Sequence, residues 1–180
     1  MRNPFRIGTA IYLRPLEPGD VPGLTDWTTQ PAVRTALDLF YRPLDQSAAE
    51  LFLERTKNDA HDIALGIVAQ ETETLCGFIG LNCIDQENSH VQLGFFLGAQ
   101  KEGGEHCLSE AVELVTRYVF AVLGMNRLWL YVDVAEARTI NMLERQGFVR
   151  EAILRQDRYL DGRHADTVVM GRVRGETRRE

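Results

Sequence analysis

Residues 92–111, QLGFFLGAQKEGGEHCLSEA, place a strand, a glycine-containing break and a helix start in succession. That order can hold an anion. The first amide donors of a helix have no acceptor inside it, and the macrodipole adds partial positive charge, so a pyrophosphate can dock there without a lysine. The stretch also holds a thiol, Cys107, beside His106. A helix N-terminus lowers a thiol's pKa and would favour a nucleophile. Adjacent residues on a helix point apart, however, so His106 is not thereby its base. The plainer reading, a small residue packed in the first turn, outweighs the nucleophile.

Periodicity supplies the elements that must position these residues. Residues 90–97 are apolar and aromatic enough for a strand, residues 98–105 break the pattern, and Leu108, Val112, Val115, Val119 and Val122 recur at helical spacing. A helix over 109–123, closed by Gly124, is expected. Upstream, residues 10–16 read as a strand ending at Pro15. Residues 17–20 then form a turn, with Asp20 capping a helix that carries Val21, Leu24 and Trp27. A short helix at 31–37, an irregular piece at 39–44 and an amphipathic helix at 47–57, with Ala48, Leu51, Phe52 and Arg55 at helical spacings, follow. From Asp62 the period becomes that of strands. Residues 63–69 and 75–84 flank a turn at 71–74, and 90–97 follows after 85–89, giving an antiparallel meander.

Residues 127–134, RLWLYVDV, must run parallel to the strand before the long helix, because a helical crossover returns the chain in the same direction. A second strand-to-helix transition spans 133–139. Its helix, 138–146, carries Ile140, Met142 and Leu143, Gly147 closes it, and Phe148 begins a strand. Asp161-Gly162 signals a tight turn between 152–160 and 165–173, so the chain closes on a hairpin.

With 180 residues the chain has room for one domain with a full core and is short for two. The net charge of -6 and pI near 5.3 argue against broad nucleic-acid binding, and the arginine-rich residues 172–180 read as a solvated tail. No apolar run of about 18 residues is present, so no membrane span is expected, and MRNPFRIG holds no apolar stretch suited to a signal peptide. Cys76, Cys83 and Cys107 are odd in number and lack CxxC spacing. They suit a reduced, cytoplasmic compartment and give little support to a disulfide framework or a zinc site; no metal is expected.

Six segments in order, IYLRPLEPGDVPGL, CGFIGLNCID, QLGFFLG, NRLWLYVDV, NMLERQGFVREAILR and YLDGRHADTVVM, make nearly the whole chain resemble the GNAT superfamily of acyl-CoA-dependent N-acetyltransferases, specifically its RimJ/RimL type. The resemblance implies an α/β (α+β) fold with a mixed, mostly antiparallel sheet splayed between the family's fourth and fifth strands and flanked by helices. Acetyl-CoA would enter that splay, its pantetheine amides pairing with backbone near Phe95, Phe96 and Leu97. Gly103, Gly104, Glu105, His106, Cys107 and Leu108 would hold the pyrophosphate. An amine would attack the thioester directly, with a base taking its proton and an acid protonating the departing thiolate.

Several positions depart from the family's pattern. His106 and Leu108 stand where residues are normally kept small, and Glu105 stands where a lysine or arginine is common; only Gly104 fits the glycine-rich form. Three readings compete: distorted binding aided by a protonated His106, weak or absent binding because Leu108 obstructs and Glu105 repels, or a two-residue offset that puts Gly103 and Gly104 at the contact. Gln92 replaces the glutamate that acts through water as a base; an amide orients a water but takes no proton. Glu136 replaces an asparagine that contacts the cofactor, and Leu143 replaces a tyrosine acid. Thr139 matches a serine proposed to protonate the thiolate, although a helix cap is the commoner role for such a residue. His90, Glu87 and Asp85 offer a displaced base or a merely solvated loop, and His61 and His164 have no partner pattern.

The expectation is a cytoplasmic acetyltransferase acting on a primary amine, either a protein N-terminus or a small molecule, with a homodimer left open. The rival is a GNAT-fold binding or partner protein that holds acetyl-CoA weakly or not at all.

Overall fold

The computed structural model describes residues 1–28, 45–58, 61–98, 104–160 and 162–176. The helix expected at 31–37, the irregular piece at 39–44 and Gly103 lie outside them. Eight strands, β1 (Arg6–Ile7), β2 (Ile11–Pro15), β3 (Ile63–Ala69), β4 (Leu75–Asp85), β5 (His90–Leu97), β6 (Arg127–Asp133), β7 (Val149–Leu160) and β8 (Arg163–Val173), form a mixed sheet in the order β1-β2-β3-β4-β5-β6-β8-β7. The described helices are α1 (Val21–Thr28), α2 (Gln46–Asn58), α3 (Gly104–Ala121) and α4 (Ala137–Arg145). Two compact units divide the chain, one of Met1–Cys83 with Gly94–Leu114 and the other of Ile84–Leu93 with Val115–Glu180.

In the first unit β1 to β4 pair antiparallel in chain order. Its core gathers Leu16, Val21, Leu24, Ala49, Leu53, Phe78 and Phe96, with Trp27, Phe52, Ala64 and Leu75 packed against them. Each such leucine or phenylalanine contributes about 1.5–3 kcal/mol on leaving water. The apolar stripe of α2 is Ala49 and Leu53 with Phe52, one position round from the Ala48 and Leu51 that the spacing suggested. Leu51 is 49% exposed. Phe52 flanks both stripes at helical spacing, so the sequence pattern alone admits either rotation.

Asp20 does not cap α1. It lies in a single tight turn, Pro18–Asp20, where its carboxylate takes the Glu17 N–H at 2.8 Å and pairs with the Arg14 guanidinium at 2.7 and 2.8 Å. Both side chains are only 9% exposed. The bond to Asp20 holds Arg14 above its ordinary pKa, so this buried cation keeps its proton. A second anchor comes from α3, where the Glu110 carboxylate accepts the backbone N–H groups of Thr9, Ala10 and Ile11. It thereby satisfies the donors of Thr9 and Ala10 in the β1–β2 connection and that of Ile11 at the start of β2.

In the second unit β5 runs parallel to β6 over His90, Val91 and Gln92 against Arg127, Leu128 and Trp129. This is the direction that the helical crossover required. β6 pairs antiparallel with β8, and β7 with β8. β7 runs from Val149, so the strand expected to begin at Phe148 and the hairpin arm expected at 152–160 are one element. Register shifts at Arg150/Ala152 and Leu154/Arg158, with Gln156 at φ 54, interrupt its alternation. β8 begins at Arg163 and ends at Val173, so Arg172 and Val173 belong to the sheet instead of a tail. Arg172 donates to the Gln146 carbonyl at 2.6 Å.

The closure of α4 follows its glycine. Gly147 has φ 83, its N–H bonds the Glu144 carbonyl, and the Phe148 N–H reaches back to the Leu143 carbonyl, both at 3.0 Å. This pair of bonds satisfies the last helical carbonyls, and only a residue at ease with positive φ makes it without strain. Ile140, Met142 and Leu143 form the buried face of the helix.

Candidate functional site

The strand-to-helix passage sits in the first unit. At the end of β5, Phe96 is buried between Trp27 and Phe78, with ring centroids 5.7 and 6.0 Å away. Phe95 and Leu97 are half-buried. The Gly98 N–H bonds the Cys76 carbonyl at 2.7 Å. A Cβ on Gly98 would stand 2.4 Å from the Trp27 indole, so the bare backbone here lets that ring lie directly against the chain.

The described part of α3 reaches back to Gly104, at least a turn before the 109 that periodicity suggested. Two adjacent glycines and two charged or polar residues hide that turn, but Leu108, Ala111, Val112 and Val115 make one buried stripe that carries the helix back through it. The consequence for chemistry is direct. The first amides of a helix have no acceptor inside it, and residues 104–106 lie in the first described turn of α3. Leu108 is 7% exposed and belongs to the buried stripe of α3. His106 is exposed, and the Glu105 side chain lies outside the description. Among the described residues, an added Cβ at Gly104 would meet only Leu97 Cδ1, at 3.5 Å. These donors and the positive end of the helix suit a pyrophosphate.

Cys107 is half-buried, and burial is the largest influence on its thiol, with Cys76 and Glu110 adding to it; together they push its pKa up. A helix N-terminus alone would pull the other way. Desolvation wins, and Cys107 is no activated nucleophile.

Gln92 and the α4 start belong to the second unit. Gln92 is half-buried and pairs with Trp129 on the last rung of the β5–β6 ladder. Glu136 is the N-cap of α4, exposed, at φ -80 and ψ 54, and its own side chain caps nothing. Thr139 is the third helical residue and not the cap, which corrects the capping expectation. Its hydroxyl donates to Glu136 Oε2 at a long 3.4 Å. Asp133 builds the preceding turn by accepting the Ala135 N–H at 2.8 Å.

The displaced-base candidates are explained locally. Asp85 accepts two hydrogen bonds from Asn88 at 2.8 Å, and these hold its carboxyl below the usual range, with His90 contributing less. His90 Nε2 lies 3.5 Å from Asp85, and Glu87 is exposed. His61 is exposed, and His164 packs edge-on against Tyr159 with centroids 5.1 Å apart. Among the described residues no group of three or more His, Cys, Asp or Glu could hold a metal ion. No described helix is long and apolar enough to cross a membrane.

The sequence pattern of the acetyltransferase (GNAT) domain matches residues 10–149, which spans β2 to the start of β7. The chain belongs to the GNAT acetyltransferase family. N-acetyl transfer is the reaction class that comes with this GNAT membership. The chain is 28% identical to p20, an N-acetyltransferase of Bacillus licheniformis named as uncharacterized, over 92% of this chain and 94% of that one. It is also 28% identical to YdaF of Bacillus subtilis (strain 168), whose name proposes a ribosomal N-acetyltransferase, over 95% of both. Among solved structures, the spermidine N-acetyltransferase from Vibrio cholerae in complex with CoA and spermine superposes with a TM-score of 0.77. It is 19% identical, over 92% of this chain and 96% of that one, so it speaks for the GNAT fold alone.

Two features of this GNAT site escaped the sequence. The seat of Trp27 on Gly98 joins residues far apart in the chain, and helical spacing had marked Trp27 only as an apolar position. The influence of Cys76 on the Cys107 thiol, from a strand distant in the chain, has no spacing rule to announce it.

Proposed function

We propose that this GNAT protein moves an acetyl group from acetyl-CoA to a primary amine, in the manner of the RimJ/RimL type. One observation carries the reading: the first described turn of α3, from Gly104, follows β5 in the chain and Leu108 is buried, so the opening amides of the helix would be available to an anion. Gly104, Glu105, His106 and Cys107 would bind the pyrophosphate through backbone N–H, which their side chains do not delete. Phe95, Phe96 and Leu97 would offer backbone to the pantetheine. Gly103 and Leu108 would flank the contact.

Gln92 would orient a water that passes the amine's proton to solvent, and the Thr139 hydroxyl, held only loosely by Glu136, would give a proton to the departing thiolate. The amine nitrogen bonds to the acyl carbon, the carbon–sulfur bond breaks, and the electron pair leaves on sulfur. Acetyl-CoA supplies the activated thioester when bound. The rival reading of a GNAT-fold partner protein leaned on the departures at Gln92, His106, Leu108 and Glu136 together; GNAT membership and the N-acetyltransferase names of the relatives support catalysis over it.

The net charge of -6 favours a cationic acceptor. A polyamine and a peptide with a free N-terminus are the acceptors to try first, in line with what the spermidine N-acetyltransferase and YdaF are named for. The experiment follows release of the CoA thiol with each amine; saturable release with either supports the proposal, and none with any primary amine refutes it. Thr139→Ala is expected to lower kcat by about tenfold, less than a full general acid is worth because a thiolate leaves readily. Its affinity for acetyl-CoA should hold. A fall in affinity with kcat intact would assign Thr139 to binding instead.

A further inference from the structure

Side chains alternate along β6 in the second unit, so Leu128, Leu130 and Val132 turn to one face and are buried, while Trp129, Tyr131 and Asp133 share the other. That second face is the more open one: Tyr131 is 39% exposed, and Trp129 and Asp133 are half-buried. Gln92 belongs to it too, as the rung partner of Trp129 on the β5–β6 ladder. The two rings meet edge to face, with centroids 5.1 Å apart and an angle of 87° between them. Such a pair engages one ring face and leaves the others, which carry negative π charge, to a cation. Before Trp129 on the same face, Arg127 adds little repulsion, because Glu151 holds its guanidinium in a two-pronged pair. Beyond Tyr131, Asp133 accepts the Ala135 N–H at 2.8 Å with one oxygen, and its other oxygen takes no hydrogen bond among the described residues. Thr167, the rung partner of Asp133, is wholly buried, and its hydroxyl has no partner among the described residues. Ring faces, a carboxylate oxygen and a hydroxyl all accept, and an ammonium only donates.

We propose that Trp129, Tyr131 and Asp133 form a cation subsite that selects a linear diamine or longer polyamine as acceptor, its far ammonium against the rings and the carboxylate while its near amine stands at Gln92. The proposal rests on the acyl-transfer reading and names the substrate class within it. Side chains two residues apart on a strand stand about 7 Å apart, so Tyr131 and Asp133 place the second charge roughly 7 and 13 Å along β6 from the rung of Gln92. A single amine gains little from this face. It must give up its proton before it attacks, and once neutral it draws nothing from ring faces or a carboxylate. A second nitrogen keeps its charge throughout and holds the molecule in place. A peptide N-terminus with neutral side chains carries no such second charge.

Release of the CoA thiol is followed with 1,8-diaminooctane, with octylamine, which lacks only the second amine, and with a peptide of neutral side chains. The diamine is expected to show a KM at least about tenfold below that of octylamine, the scale of one partly desolvated cation–π contact, at similar kcat. Tyr131→Leu and Asp133→Asn should each raise the diamine's KM about five- to tenfold and leave the KM of octylamine and the Kd of acetyl-CoA in place. Asparagine keeps the oxygen that the Ala135 N–H needs, so the turn before α4 survives the loss of charge. Tyr159→Leu, at a tyrosine of β7 that is 59% exposed, is the control and should move neither KM. Equal KM values for the two amines, a peptide preferred to the diamine, or variants that lower kcat with KM intact overturn the proposal. If no amine releases CoA, the acyl-transfer reading fails, and calorimetric titration of each amine into the protein alone decides the subsite: tighter binding of the diamine upholds it, and equal affinity refutes it.

Discussion

Asp20→Ala should lower the unfolding free energy by about 3–5 kcal/mol, the usual cost of leaving one partner of a buried ion pair without the other. The reason is local. Arg14 and Asp20 form a two-pronged pair at 2.7 and 2.8 Å with side chains 9% exposed, and the same carboxylate takes the Glu17 N–H. Without the carboxylate, the guanidinium keeps one bond, to the Pro15 carbonyl at 2.9 Å, and stays buried and charged. Arginine cannot shed its proton to escape that cost. A double variant, Arg14→Met with Asp20→Leu, should recover most of the loss, since apolar groups of similar volume often replace such pairs at little cost. Urea unfolding of the two single variants and the double variant measures this directly. A loss under about 1 kcal/mol for Asp20→Ala would mean that the pair is solvated like a surface bridge.

Gly104→Asp should separate binding from folding by moving them in opposite directions. A carboxylate in the first turn of α3 meets unpaired amides and the positive end of the helix, which stabilises the helix by about 0.3–1 kcal/mol. Among the described residues, the added Cβ meets only ordinary van der Waals contact, with Leu97 Cδ1 at 3.5 Å. A bound pyrophosphate, however, would face that carboxylate. Two like charges about 4 Å apart near a protein surface repel by roughly 4 kcal/mol, and a hundredfold rise in the Kd for acetyl-CoA, about 2.7 kcal/mol, is the expected share. The melting temperature should hold or rise. An unchanged Kd would move the pyrophosphate away from these amides.

The contrast between β5 and α3 explains what was legible in the sequence. β3 and β5 run as read, 63–69 and 90–97, because an apolar run bounded by turn residues is a local signal. The parallel direction of β6 follows from chain connectivity and needs no contact at all. The start of α3 was hidden, since Gly104 argues against helix locally and only burial of Leu108 and its stripe overrides that preference. Asp20 shows the same limit: an aspartate before a helix reads as a cap, and nothing local says that Arg14 has claimed its carboxylate. The site was legible only in part. The order of strand, break and helix marked the stretch proposed to hold an anion, while the raised thiol of Cys107 and the seat of Trp27 depend on burial and on residues distant in the chain.

Calorimetric titration of acetyl-CoA into the reduced protein is the most direct test. Saturable one-to-one binding is expected with a Kd in the micromolar range, on the order of 8 kcal/mol, lost in Gly104→Asp. The absence of saturable binding up to about millimolar acetyl-CoA, some 4 kcal/mol, in a protein that unfolds cooperatively would contradict an open cofactor site at the start of α3.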